Sequence, residues 1–118
     1  MTEPAPEHLE CVEVVITAES AEWLADFTRS LVEDRLAACG HTITPIRAIY
    51  RWDGEIHDEP QARVGVHTRT SLVEAIVARA NREHPDDIPC VIALPIADGH
   101  AGYLNWVYAE TASSASPI

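Results

Sequence analysis

Residues Ile46-Arg-Ala-Ile-Tyr-Arg-Trp-Asp-Gly-Glu-Ile56 decide the fold. Asp53-Gly54 is a two-residue turn signal, because both residues tolerate the positive φ that a tight hairpin demands. Ahead of the turn, a strand from about Thr42 to Trp52 alternates. Ile46, Ala48, Tyr50 and Trp52 face one way, and Arg47 and Arg51 the other. Behind it, a partner strand sets Ala62, Val64, Val66 and Thr68 on one face. Pro60 has no N–H to give a ladder, so it marks an edge or a bulge. The arms of this hairpin are longer than one small helix pair can cover. Its apolar face, including Ile49, Tyr50, Trp52 and Ile56, is expected to lie exposed on a single subunit, and such a patch marks an interface.

Strand and helix signals alternate outward from the hairpin. Glu10–Thr17 is a β-branched run with Val12, Val14 and Ile16 on one face and Val15 on the other, which suits a strand buried on both sides. Ser20 can cap a helix that the spacing carries to about Cys39, with Ala21, Leu24, Thr28, Leu31, Val32 and Leu36 as its stripe and Gly40 as a left-handed stop. Ser71-Leu-Val-Glu74 has the form of a capping box for a second helix, whose stripe is Leu72, Ile76 and Ala80 and which Pro85 ends. A short apolar strand, Cys90–Ile96, and a last helix from about His100 to Ala109 follow. The order β-α-β-β-α-β-α contains the ferredoxin-like split βαβ unit, an α+β plan. A single domain over residues 10–110 is expected, with a disordered leader (1–9) and a disordered tail (111–118) of small polar residues.

Composition bounds the function. The chain has 118 residues, enough for one domain with a real core. A formal charge of -11 disfavours nucleic acid and anionic membranes as partners. All eight basic residues are Arg, which excludes a lysine Schiff base and a phosphate-loop lysine. Cys11, Cys39 and Cys90 form no CxxC pair, and no secretory signal is visible at the N-terminus, so a reduced, cytoplasmic setting is expected.

Several segments resemble the CutA1 divalent-cation-tolerance family. They are Leu31-Val-Glu-Asp-Arg-Leu-Ala-Ala-Cys39, Ile49-Tyr-Arg-Trp-Asp-Gly54, Glu83-His-Pro-Asp-Asp-Ile-Pro89, Ala93-Leu-Pro-Ile96 and Gly99-His-Ala-Gly-Tyr-Leu-Asn-Trp106. The resemblance runs from about Val12 to Val107. It implies a homotrimer in which each hairpin, with Tyr50, Trp52, Gly54 and Ile56, joins a neighbour's sheet. It also implies a role in tolerance of copper and other divalent cations, without catalysis, on a fold like that of the PII signalling proteins. The family's proposed metal-ligand histidine falls on His84. The Glu that closes the same motif is replaced by Cys90, and a Cys found in some relatives near the end of the first strand is replaced by Ile16. His67 stands where Lys is common and Gln61 where Glu is common, so a carboxylate–ammonium pair of relatives is lost here.

The loop from His84 to Cys90 is the candidate metal site. It offers imidazole, thiolate and the carboxylates of Asp86 and Asp87 to copper or another divalent ion, with no obligatory cofactor. The competing reading makes His84 a helix-end cap and Cys90 a small buried residue at a strand start. His8, His41, His57, His67 and His100 are scattered and read as solvated or structural. A second functional reading is a PII-like sensor taking a small anion at Arg47, Arg51 and Arg63. An acylphosphatase-like enzyme would need an oriented Arg and a water-positioning Asn, yet Asn81 and Asn105 both fall on expected helices, so no enzyme is expected.

Overall fold

Eight elements run through residues 10–112, which the computed structural model describes. They are β1 (Cys11–Ala18), α1 (Ala21–Glu33), β2 (Cys39–Trp52), β3 (Glu55–Arg69), a 3-10 turn (Thr70–Leu72), α2 (Val73–Glu83), β4 (Val91–Pro95) and α3 (Ala101–Glu110). The expected leader (1–9) and most of the expected tail (113–118) lie outside the described residues. Two residues of the expected tail are described. Thr111 is buried, and the Ala112 N–H donates to the Arg35 carbonyl at 2.9 Å.

The sheet is antiparallel throughout, in the order β2-β3-β1-β4. β1 is central, and its even-numbered residues Val12, Val14, Ile16 and Ala18 meet Ala62, Val64 and Val66 of β3 beneath α1 and α2. The β3 face read from the alternation is buried in full, with Thr68 donating to the Leu36 carbonyl at 2.7 Å. Val15, on the other face of β1, is also buried, as its β-branched run implied. The α2 stripe Leu72, Ile76 and Ala80 is buried too, and each large aliphatic side chain so covered contributes about 1.5–3 kcal/mol of transfer free energy.

Three local expectations fail for identifiable reasons. α1 ends at Glu33, not near Cys39, because Arg35 takes φ +60° and the N–H groups of Leu36 and Ala37 return to the Leu31 carbonyl. Its buried stripe is therefore Leu24, Phe27 and Leu31, while Val32 is exposed. Gly40 is consequently not a helix stop but a β2 residue; a Cβ there would lie 2.5 Å from Thr28 Cγ2, so the glycine lets β2 pass under α1. The capping box does not form either. A 3-10 turn precedes α2, and no side chain caps either helix start. Ser20, by contrast, accepts from the Trp23 N–H at 3.0 Å as expected of an N-cap.

The hairpin projects well beyond the core, which gives the subunit a long dimension of 54 Å. Asp53 (φ +51°) and Gly54 (φ +78°) make its turn, with Trp52 opposite Glu55. Pro60 lies past the last β1–β3 pair, Ala18–Ala62, where its missing N–H costs no ladder bond on that side. The four tip apolar residues do not share one face. Tyr50 pairs with His57, while Ile49 and Ile56 alternate with it on the opposite side. Both faces of the ribbon are thus apolar, and Ile49, Trp52 and Ile56 stand 63%, 48% and 66% exposed.

α3 lies on the sheet face opposite α1 and α2. Leu104 and Val107 pack with Cys11 and Ala38, flanked by Ile96 and Tyr103. Arg69, at the end of β3, closes the C-terminus of this helix. Its guanidinium donates to the Tyr108 carbonyl and to Thr111, and lies 3.5 Å from the centre of the Tyr108 ring. A cation is favoured where helix carbonyls are left without partners.

Candidate metal centre

One row of residues crosses three adjacent strands on the α3 side of the sheet. Glu13 of β1 is in register with His67 of β3, and His67 with Cys39 of β2. His41 follows two residues after Cys39 on the same face, in register with Gly65. Directly opposed antiparallel residues bring their side chains together, so the register itself assembles the group. Cys39 Sγ, His41 and His67 place their donor atoms within 4.8 Å of one another. Among the described residues they are the group of three or more Cys, His or carboxylate side chains brought this close.

The hydrogen bonds around His67 fix its tautomer. Its Nε2 is 2.9 Å from Glu13 Oε1, and a carboxylate can only accept, so Nε2 carries the proton. Nδ1 then carries the free lone pair, with Cys39 Sγ 3.8 Å away. Tyr103 of α3 reaches the same spot, 2.5 Å from Nδ1 and 3.2 Å from Cys39 Sγ. Its O–H donates to Nδ1, and the Cys39 thiol can donate to its oxygen. Burial, followed by the hydrogen bond to Cys39, pushes the Tyr103 phenol well above the ordinary tyrosine range, so it stays protonated. Glu13 has room to reach His67 because residue 65 is glycine; a Cβ there would lie 2.7 Å from Glu13 Oε1. His67 and Glu13 are largely shielded, with side chains 16% and 33% exposed, while His41 is open to solvent.

The residues marked out in the sequence are distributed differently. His84 is buried, and its ring meets Trp23 edge-on at 4.8 Å. Its Nδ1 accepts from the Asp86 N–H at 3.0 Å, so its Nε2 donates to the Thr17 carbonyl at 2.8 Å. Both nitrogens are engaged in pinning the loop. Asp86, Asp87 and Cys90 are exposed and line a cleft of about 720 Å³ between the loop and the hairpin base, together with Tyr50 and Gln61. Cys90 is thus an exposed residue, not the buried strand-start residue of the competing reading. Ile16 is in the core.

The three arginines do not converge. Arg47 forms a two-pronged pair with Asp58, at 2.8 and 2.7 Å, and shares a ribbon face with Arg51. Arg63 lies on the opposite face, across from Ile43 and Thr17. The register shift between Ile43 and Ile46 separates the two sets.

Sequence reading missed Cys39 and His41 as a pair because it placed Cys39 in a helix. With β2 starting at Cys39, the Cys-x-His spacing puts both side chains on one strand face. His67 joins only through the β2–β3 register.

Across the described residues, this geometry defines a small α+β protein with one four-stranded antiparallel sheet, three α-helices and a thiol–imidazole donor group. Residues 12–110 match the family model described as CutA1 divalent ion tolerance protein. The chain is 37% identical over 98 residues to the divalent-cation tolerance protein CutA of Thermus thermophilus, covering 83% of this chain and 95% of that protein. It is 36% identical over 98 residues to Protein CutA of Mus musculus, covering 83% of this chain and spanning 55% of that longer protein. The solved structure of CutA1 from Oryza sativa superposes with a TM-score of 0.86 at 30% identity, covering 89% of this chain and 96% of that one. The chain belongs to the CutA1 family.

Proposed function

We propose that this chain is a non-catalytic divalent-cation tolerance protein that works as a cytoplasmic homotrimer and binds copper or another divalent metal ion. The observation that carries the assembly is the two-faced apolar ribbon. Ile49 and Ile56 on one side stand 63% and 66% exposed in their own subunit, and Tyr50 and Trp52 on the other 37% and 48%. Monomeric proteins rarely leave such a contiguous surface open. Seating each ribbon on a neighbour's sheet also removes its unpaired edges, and a closed ring does so for every subunit. The β2-β3-β1-β4 order with α1 and α2 on one face supports the ferredoxin-like description. The open sheet face adds exposed Ile43, Ile92 and Leu94 to the surface available for assembly.

Family membership supports the cation role, and the donor set of Cys39, His41 and His67 is of the borderline-soft kind. Light scattering at micromolar concentration tests the assembly. A mass three times the 13.0 kDa chain is expected, and a folded species at 13.0 kDa removes the proposal.

A further inference from the structure

We propose that Cys39, His41 and His67 form an exchangeable site for a transition ion of zinc(II) or copper(I) type, held from behind by Glu13 and roofed by Tyr103. The assignment rests on the cation-binding half of the reading above, for which it names the site and the class of ion. It is distinct from the loop of His84, whose ring nitrogens are both engaged in hydrogen bonds to the backbone.

The donor chemistry selects the ion. One thiolate and two imidazoles suit zinc and copper, and are poor partners for magnesium or calcium, which take oxygen. The spacing fits as well. With metal–sulfur and metal–nitrogen bonds of about 2.3 and 2.0–2.1 Å, two ligand atoms on one tetrahedral ion stand about 3.3–3.6 Å apart. Cys39 Sγ and His67 Nδ1 are already 3.8 Å apart, and all three donors lie within 4.8 Å. In the single subunit His41 is exposed and its ring already meets that of His67 edge-on at 5.3 Å, so a side-chain rotation closes the remaining gap.

The surroundings argue that the group is more than a chance encounter. A histidine that binds a metal through one nitrogen usually gives its other N–H to a carboxylate, which fixes the tautomer and raises the basicity of the ligating nitrogen. Glu13 does this for His67, and glycine at position 65 clears its path. Tyr103 supplies a neutral O–H within reach of the sulfur.

Proton accounting is simple, and no oxidation or reduction is involved. Binding breaks the Cys39 S–H bond and forms a metal–sulfur bond, and the proton leaves to solvent. The ion takes the His67 Nδ1 lone pair that now accepts from Tyr103, so the phenol swings off that nitrogen and donates to the thiolate instead, while His67 keeps its Nε2 proton on Glu13. Three protein ligands leave one position open, the arrangement of a site whose ion exchanges instead of one sealed for structure.

Cobalt(II) titration of the full chain, in a thiol-free buffer with a phosphine reductant, reads the site directly. Wild type is expected to develop a sulfur-to-cobalt charge-transfer band together with the visible bands of a tetrahedral site, and zinc should bleach both. Cys39→Ser should abolish the charge-transfer band. His41→Ala, which lies outside both core clusters of the subunit, should weaken binding by about 100-fold. Glu13→Gln should weaken it by about 10–100-fold, the usual cost of losing a supporting partner. Cys90→Ala should bind like wild type, and circular dichroism confirms that each variant is folded. A band that survives Cys39→Ser but disappears in Cys90→Ala overturns this assignment and leaves the cation-binding reading standing. No cobalt or zinc binding by folded wild type overturns both.

Discussion

Trp52 tests the assembly most sharply, because it sits near the ribbon tip and takes no part in either core cluster. It is 48% exposed in the isolated subunit. A tryptophan has about 150–250 Å² to bury, so roughly 70–120 Å² is left for a neighbour to cover. At about 25 cal/mol per Å² this amounts to about 2–3 kcal/mol per subunit. Three copies in a trimer give about 6–9 kcal/mol, or a factor of roughly 10⁴–10⁶ in the constant for dissociation into three chains. That constant scales with the square of concentration. The concentration at half-dissociation should therefore rise about 100–1,000-fold in Trp52→Ser. Sedimentation velocity over a dilution series measures this shift, and far-ultraviolet circular dichroism checks that the variant keeps its fold. A midpoint within about threefold of wild type would show that the ribbon tip is not buried by a neighbour.

Two further expectations concern the subunit itself. Gly40→Ala places a methyl group 2.5 Å from Thr28 Cγ2 and should cost about 1–3 kcal/mol in urea unfolding; Thr28→Ser removes that methyl, keeps a hydroxyl able to bond the Leu24 carbonyl, and should restore more than half of the loss. Arg69→Ala strips the end of α3 of its guanidinium donors and of the contact with the Tyr108 ring, and should cost about 2–3 kcal/mol by the same measurement; a loss under about 0.5 kcal/mol would mean that water replaces the clasp.

Local patterns were legible in the sequence wherever neighbouring residues decide the outcome. The alternation Ala62, Val64, Val66, Thr68, the stripe Leu72, Ile76, Ala80, the Ser20 cap and the Asp53-Gly54 turn each depend on a few adjacent positions, and each is found in the structure. The end of α1 was not legible. Leu36 keeps the helical spacing, and an arginine at φ +60° carries no signal of the kind a glycine gives. That error hid the candidate site, because Cys39 and His41 share a face only on a strand. Even with β2 placed correctly, His67 and Glu13 arrive by register across β3 and β1, from 28 and 26 positions away in the chain, a relation that spacing along the sequence does not carry. His84 shows the converse. Its donors were visible in the sequence, but the extended backbone before Pro85 turns the ring inward onto Trp23.

The placement of β1 bears on how the polypeptide is made. Among the four described strands it is the first to be synthesised, yet both of its hydrogen-bonding neighbours come later, at Ala62–Arg69 and Val91–Pro95. Until those segments leave the ribosome, Cys11–Ala18 is an unpaired β-branched stretch with apolar side chains on both sides, the kind of nascent segment that holding chaperones shelter. The middle of the sheet can therefore close only once Val91–Pro95 has been made, and a truncation before Val91 would leave one side of its central strand bare.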